Sequence, residues 1–364
     1  MTGQSCDVTL RSTVEVIPSY KAGKRPVPLD GVTAYKVSSN ENPYPPLPAV
    51  REVIATAGGD VNRYPDPANT ELVAAIATYH GVDPDNVAVG VGAVALCYQL
   101  ALITSEPGTE VIFAWRSFEA YPIVTQVAGA AAVQVPLTSD GRHDLDAMAA
   151  AVNSATRLIF VCSPNNPTGS IVSKAEFDDF MSKVPSNVLV VLDEAYAEFD
   201  RSDDAAHGIE TFREYPNLVV LRTFSKAYGL AGLRVGFAVG HPKVIEALGK
   251  VALPFGVNVI ASAAAVASLE DDVELIERVD QLVAERARVT GELTALGVQV
   301  AALGSSAESQ ANFIWLPLGE RSVEVAEALE AQGLTVRTFA GEGLRITIGE
   351  VEANDRLIEL AEFI

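Results

Sequence analysis

The chain has 364 residues, of which 49% are hydrophobic and 20% charged, enough apolar material for one large core and a smaller one. Against 47 Asp and Glu stand 26 Lys and Arg, a formal net charge of −21, which sets the surface against nucleic acid and anionic membrane as partners. Cys6, Cys97 and Cys162 are an odd number at wide spacing, so neither a disulfide framework nor a zinc site is expected.

The N-terminal stretch lacks the apolar core of a signal peptide, and no apolar run reaches bilayer-spanning length. A soluble, cytoplasmic protein is expected. Residues 1–45 are rich in Pro, Ser and Lys and end in Asn40-Glu41-Asn42-Pro43-Tyr44-Pro45. Such a segment forms no core of its own and is expected to lie across the protein body or a partner subunit. From about residue 68, strands and helices alternate. Leu72, Ile76 and Tyr79 recur at helical spacing; 86–90 reads as a strand, 92–104 as a helix and 110–114 as the next strand. Further strands are predicted at 131–137, 157–163, 188–193, 218–225 and 233–240. Short β-branched runs with helical stretches between many of them indicate an α/β domain with a mostly parallel sheet. Ligands of such sheets gather at the carboxyl ends of strands.

After about residue 255 the texture changes. Helices are predicted at 258–269 and 271–296, followed by an apolar run at 311–318 and a helix at 322–332. Strands at 335–339 and 344–349 and a last helix at 352–364 complete a smaller α+β unit. The expected organisation is an N-terminal segment over 1–45, a large domain over 46–255 and a small C-terminal domain over 256–364.

Five stretches carry candidate chemistry. Thr223-Phe224-Ser225-Lys226 runs on to Gly229, Gly232 and Arg234 after an apolar strand. A Lys desolvated at a strand end loses its proton more easily, as an imine-forming nucleophile must. Thr223, Ser225 and Arg234 would supply hydrogen bonds and charge for a phosphate; the alternative is a surface Lys in a flexible loop. Asp193 ends the apolar run Val190-Val191-Leu192, a costly place for a carboxylate unless a cation meets it. A pyridinium nitrogen is such a cation, and Tyr196, three residues on, would reach a ring hydroxyl oxygen. An Asp that binds Mg²⁺ or caps a helix is the other reading, and the absence of a G-x-x-x-x-G-K-[ST] motif weakens a nucleotide site. Ser163-Pro164-Asn165-Asn166-Pro167-Thr168-Gly169 forms a rigid turn that would fix Asn166 as a donor to an anionic ring oxygen, unless it is a plain surface turn. Gly90-Val91-Gly92-Ala93 is a strand-to-helix turn suited to one phosphate, and without a third glycine it does not read as a dinucleotide fingerprint. Arg345, inside an apolar strand, suits a substrate α-carboxylate or an internal salt bridge.

Through SSNENP, NRYPD, SPNNPTG, LDEAYAEF, RTFSKAYGLAGLRVGF and GLRITIG, in that order, the sequence from about Ile17 to the C-terminus resembles the fold-type I pyridoxal-phosphate aminotransferases. Within them it is similar to the histidinol-phosphate subfamily and its aromatic branch. The resemblance implies that Lys226 carries the cofactor as a Schiff base and shuttles the proton. Asp193 would pair with the pyridine nitrogen, Asn166 and Tyr196 would bond the ring oxygen, and Phe118 would stack on the ring. Gly92, Ala93, Ser225 and Arg234 would hold the phosphate, with Thr223 nearby and Tyr64 reaching in from the other subunit of a homodimer. Arg345 would bind the substrate carboxylate, while Arg337, Tyr20 and Asn40 would meet its distal end. The segment 1–45 would contribute to the small domain and help to close the site.

Histidinol-phosphate enzymes commonly follow the cup glycine with a small residue and Asp-Glu, whereas here the run is Gly92-Ala93-Val94-Ala95-Leu96-Cys97. That run and Trp115-Arg116-Ser117-Phe118-Glu119 resemble the aromatic branch. The expected reaction moves the amino group of phenylalanine, tyrosine or tryptophan to a 2-oxo acid such as 2-oxoglutarate. Histidinol phosphate as donor, an amino-acid-phosphate decarboxylase and a non-catalytic binding protein on the same fold are the rival readings.

Overall fold

The structure, a computed structural model, describes residues 8–20, 23–28, 30–270, 272–301 and 308–364. Its strands in chain order are β1 (Tyr35–Lys36), β2 (Val87–Gly90), β3 (Glu110–Trp115), β4 (Ala131–Pro136), β5 (Thr156–Cys162), β6 (Leu189–Asp193), β7 (Leu218–Thr223), β8 (Gly236–Gly240), β9 (Phe313–Leu316), β10 (Leu334–Thr335), β11 (Arg337–Phe339) and β12 (Gly343–Thr347). Seven of them form the main sheet, in the order β2-β8-β7-β6-β5-β3-β4. Pairing is parallel from β7 through β6, β5 and β3 to β4. β8 alone runs antiparallel, to both β7 and β2. The mostly parallel sheet expected from the sequence is present.

The central strands are apolar along their middles, as strands buried on both faces of a parallel sheet are. In β6, Val190, Val191 and Leu192 are all fully buried, and each such side chain contributes roughly 1.5–3 kcal/mol by leaving water. The helix Ala93–Thr104 shows how local sequence serves the sheet. Its Ala and Leu residues favour helix, Gly92 starts it at φ 78°, and the chain turns extended at Ser105. Leu96, Cys97 and Leu100 are buried in the core beneath it. Cys97 and Cys162 are free thiols and buried; Cys6 lies outside the described residues.

The predicted 258–269 and 271–296 helices are Val259–Glu270 and Asp272–Ala295, and the last helix is Val351–Glu359. The predicted 335–339 strand is split into β10 and β11, which join different sheets: β10 pairs with β1, and β11 with β12, in a sheet completed by β9. Thus the irregular-looking N-terminal segment supplies a strand, Tyr35–Lys36, parallel to Leu334–Thr335. Between that segment and residue 68 the structure also has a helix, Pro48–Ala57, that the sequence reading did not include. Among the described residues, no helix is long and apolar enough to cross a membrane.

Candidate active site

The carboxyl ends of β3, β5, β6 and β7 all lie at one edge of the sheet, since these strands are parallel. β2 shares their direction because two antiparallel pairings separate it from β7. At that edge opens a cavity of about 260 Å³, lined by Lys226, Asp193, Tyr196, Asn166, Phe118, Ala93 and Arg345 among others. Thr223, Ser225, Arg234, Arg337, Tyr20 and Asn40 line it too. Of the residues singled out from the sequence, Gly92 is not in the lining but directly precedes the lining residue Ala93, and Tyr64 lies elsewhere.

Asp193 is the last residue of β6 and is buried. One carboxylate oxygen accepts the Tyr121 hydroxyl at 2.8 Å and the other the Ala195 N–H at 3.3 Å. Burial outweighs these bonds and pushes its pKa up to about 6. Tyr121 was not legible as a site residue; it stands on the helix Ala120–Ala128, with its ring stacked on Phe160 at 4.4 Å. Behind Asp193, the buried Glu194 takes the Arg222 guanidinium at 2.7 Å and the Gly208 N–H at 2.6 Å. That ion pair ties the ends of β6 and β7 together.

Lys226 follows β7 in a loop anchored by the buried Phe224, whose backbone bonds Val235 and Leu230. The amine donates to the carbonyls of Asn40 at 3.1 Å and Ser39 at 3.3 Å. Desolvation first, then the neighbouring Arg345, bring its pKa down to about 7, with Glu41 and Asp193 pulling weakly the other way. A lysine in that condition is a nucleophile and base at neutral pH.

Asn40 is buried with a left-handed backbone, φ 52°, a conformation Asn tolerates better than most residues. Its amide nitrogen donates to the Tyr196 hydroxyl at 2.9 Å, and its oxygen accepts from Thr347 at 3.0 Å. The segment before residue 45 is thereby fastened to the site. Burial raises the Tyr196 pKa, which keeps the phenol protonated and able to donate. Arg345 reaches across from β12: one nitrogen donates to the Asn166 side-chain oxygen at 2.6 Å and another to the Ser38 carbonyl at 2.8 Å. With that oxygen committed, the amide nitrogen is the atom Asn166 has left to donate. Among the described residues the buried Arg345 Nε has no hydrogen-bond partner, a donor that an entering carboxylate would satisfy.

At the other end, the start of the helix Ala93–Thr104 meets Arg234. A Cβ added at Gly92 would sit 2.7 Å from the Arg234 Nη2, and one at Gly236 would sit 2.7 Å from the Ala93 nitrogen. Both positions must stay glycine for the backbone amides and the guanidinium to converge. Arg234 itself has φ 61° and donates to the Ala231 carbonyl at 2.9 Å.

The family model for aminotransferase class I and II matches residues 33–360. The chain is 58% identical to an aromatic amino acid aminotransferase of Streptomyces coelicolor, over 97% of this chain and 96% of that protein. It is 52% identical to the protein of the same name from Thermobifida fusca, over 97% and 96%. Among solved structures, histidinol-phosphate aminotransferase from Sinorhizobium meliloti in complex with pyridoxal-5'-phosphate matches with a TM-score of 0.82 at 31% identity, over 90% of this chain and 89% of that one. The cofactor of such enzymes is pyridoxal phosphate, and the residues present fit it. A buried acid stands where a ring cation would neutralise it, an amine of lowered pKa lines the same cavity, and glycines leave room for a phosphate beside Arg234. This chain is a member of the class I and II aminotransferase family.

Proposed function

We propose that this aminotransferase takes phenylalanine, tyrosine or tryptophan as amino donor and a 2-oxo acid such as 2-oxoglutarate as acceptor, in ping-pong alternation. The observation that carries the choice of donor is the name borne by relatives that share more than half their residues with this chain over nearly its whole length. When bound, pyridoxal phosphate supplies an electron-withdrawing ring that makes the donor's α-proton labile. Lys226 would hold the cofactor and, with its amine free, would take the donor's α-proton as a general base and later return it. Asp193 would hold the positive charge of the ring nitrogen, Asn166 and Tyr196 would donate to the ring oxygen, and Phe118 would offer the ring an aromatic face. Ala93, Ser225 and Arg234 would hold the phosphate with Thr223 nearby and Gly92 directly before Ala93. Arg345 orients the donor's carboxylate. The segment before residue 45 closes the site: the Lys226 amine bonds its carbonyls, and Tyr20 lines the cavity while remaining 57% exposed.

The enzyme is proposed to work as a homodimer. Tyr64 is 84% exposed, with its ring 4.7 Å from that of Phe255, and Val61 and Leu253 are exposed as well. An apolar surface of this kind suits a second copy of the chain, whose cofactor phosphate Tyr64 would reach. Mixing the Lys226→Ala and Tyr64→Ala chains is then expected to restore activity that neither has alone, since one site in each mixed dimer is intact. No gain on mixing, with subunit exchange verified, would place Tyr64 outside the partner's site.

The donor is tested by the half-reaction of purified holoenzyme, following loss of the bound cofactor's absorbance band. Fast conversion with phenylalanine and slow conversion with histidinol phosphate is the expected result. The reverse order would make the protein a histidinol-phosphate enzyme.

A further inference from the structure

One wall of the cavity carries more positive charge than a single α-carboxylate requires. Arg337 on β11 and Arg345 on β12 are directly paired across the two antiparallel strands, and both line the cavity. Two like charges at paired positions repel, and among the described residues the carboxylate in salt-bridge range stands on the Arg337 side. Arg337 donates to the Glu119 carboxylate at 2.5 Å, with only 12% of its side chain exposed. Its guanidinium also lies 5.6 Å from the Phe339 ring. Arg345 has hydrogen bonds to an amide and a carbonyl, and among the described residues no carboxylate in salt-bridge range. Glu41, another acid in the lining, is taken by Lys36 at 2.9 Å.

Glu119 also stands at a helix start. It directly precedes the helix Ala120–Ala128, where the helix dipole favours an anion. It also follows Phe118, so the carboxylate is presented from the same turn as an aromatic face of the cavity.

We infer that Glu119 is a specificity-determining residue that, by neutralising Arg337, grades substrates by the negative charge they bring to the Arg337–Arg345 wall. An uncharged aromatic side chain meets a neutral ion pair and an aromatic surface. A single carboxylate, as on a 2-oxo dicarboxylate acceptor, must compete with Glu119 for Arg337 and is tolerated. The phosphate of histidinol phosphate, which stands on the carbon that is the carboxyl carbon of an amino acid, brings about two negative charges to this wall at neutral pH and is excluded by the same carboxylate. This inference rests on the aromatic reading of the donor and supplies its physical basis.

The test compares the holoenzyme with Glu119→Gln, Glu119→Asp and the double variant Glu119→Gln/Arg337→Gln. Each is assayed in the half-reaction with phenylalanine, glutamate and histidinol phosphate. Because each substrate is compared with itself across variants, the missing carboxylate of histidinol phosphate cancels. Glu119→Gln is expected to raise kcat/KM for histidinol phosphate by about tenfold or more, through KM, and for glutamate by a smaller factor. Phenylalanine should gain less than either. Glu119→Asp, which keeps the charge, should retain the wild-type order, and the double variant should lose the gain because Arg337 is no longer there to be uncovered. An unchanged KM for histidinol phosphate in Glu119→Gln, or a gain that persists in the double variant, overturns the role of Glu119. Should Glu119→Gln fail to bind cofactor, Glu119→Ala answers the same question by the same criterion. A wild-type preference for histidinol phosphate overturns the aromatic reading itself, and is seen before any variant is made.

Discussion

Lys226→Ala is expected to abolish measurable transamination while leaving a protein that still binds pyridoxal phosphate. The two outcomes separate because different residues carry them. Asp193, Ser225, Arg234 and the start of the helix Ala93–Thr104 stay in place around the cavity, so the noncovalent contacts proposed for the cofactor remain available. The amine proposed to anchor it and to move the α-proton is gone, and among the described residues no other lysine lines the cavity to replace it. Loss of a general base alone costs up to about 10⁴-fold in rate, and the anchoring step is lost as well. The variant should also change the pH dependence of the cofactor-free protein. The Lys226 pKa falls from its ordinary 10.5 to about 7 on folding, so between those values the unfolded chain binds a proton that the native chain does not. Native stability therefore rises with pH in that window through this group. The burden of burying its charge is fully present below about pH 7. Removing the amine should make the cofactor-free variant more stable than the wild type at pH 6, with the difference shrinking toward pH 10. Denaturant unfolding at the two pH values measures it. Normal turnover in the variant would remove Lys226 from the mechanism altogether.

The parts of this site that were legible in the sequence are those where a strand ends in residues its own neighbours cannot explain. Asp193 after three fully buried aliphatic residues, Lys226 among small residues and hydroxyls, and Arg345 inside an apolar strand each violate the local pattern. Such violations are expected at functional positions. What stayed hidden depends on contacts across long separations. Tyr121 meets Asp193 72 residues away, and Glu119 meets Arg337 218 residues away; neither pair leaves a periodic trace. Asn40 was legible only through resemblance, and its hydrogen bonds to Tyr196 and Thr347 leave no trace in the local sequence. β1 is two residues long and exists because β10 lies beside it. The helix Pro48–Ala57 was masked by the prolines before it. Pro48 in fact sits at the first helical position, where its missing N–H costs nothing. The antiparallel course of β8 was beyond a periodicity argument too, because its all-buried residues look the same in either direction.

Asp193→Asn should separate stability from activity in opposite directions. The carboxylate is buried, and its pKa of about 6 lies above the ordinary 3.8. The native chain thus binds more protons than the unfolded chain between those values, and stability falls as pH rises through the window. Above about pH 6 the full cost of a buried charge is present in the cofactor-free protein. An asparagine in the same place keeps an oxygen to accept from the Tyr121 hydroxyl or the Ala195 N–H and carries no charge. The cofactor-free variant should therefore unfold at a higher temperature than the wild type at pH 8, and at nearly the same temperature at pH 4. With pyridoxal phosphate the order should reverse. The wild-type carboxylate gains a cationic partner that repays its burial, whereas the amide cannot hold a proton on the ring nitrogen. Transamination is expected to fall by about 10²–10³-fold, the scale for removing one preorganised electrostatic group. Melting curves with and without cofactor at the two pH values, beside the phenylalanine half-reaction, decide the matter. A cofactor-free variant less stable than the wild type at pH 8 would mean that the charge on Asp193 is held by the protein itself. In that case the burial of Asp193 would be structural, and its pairing with the ring would need other grounds.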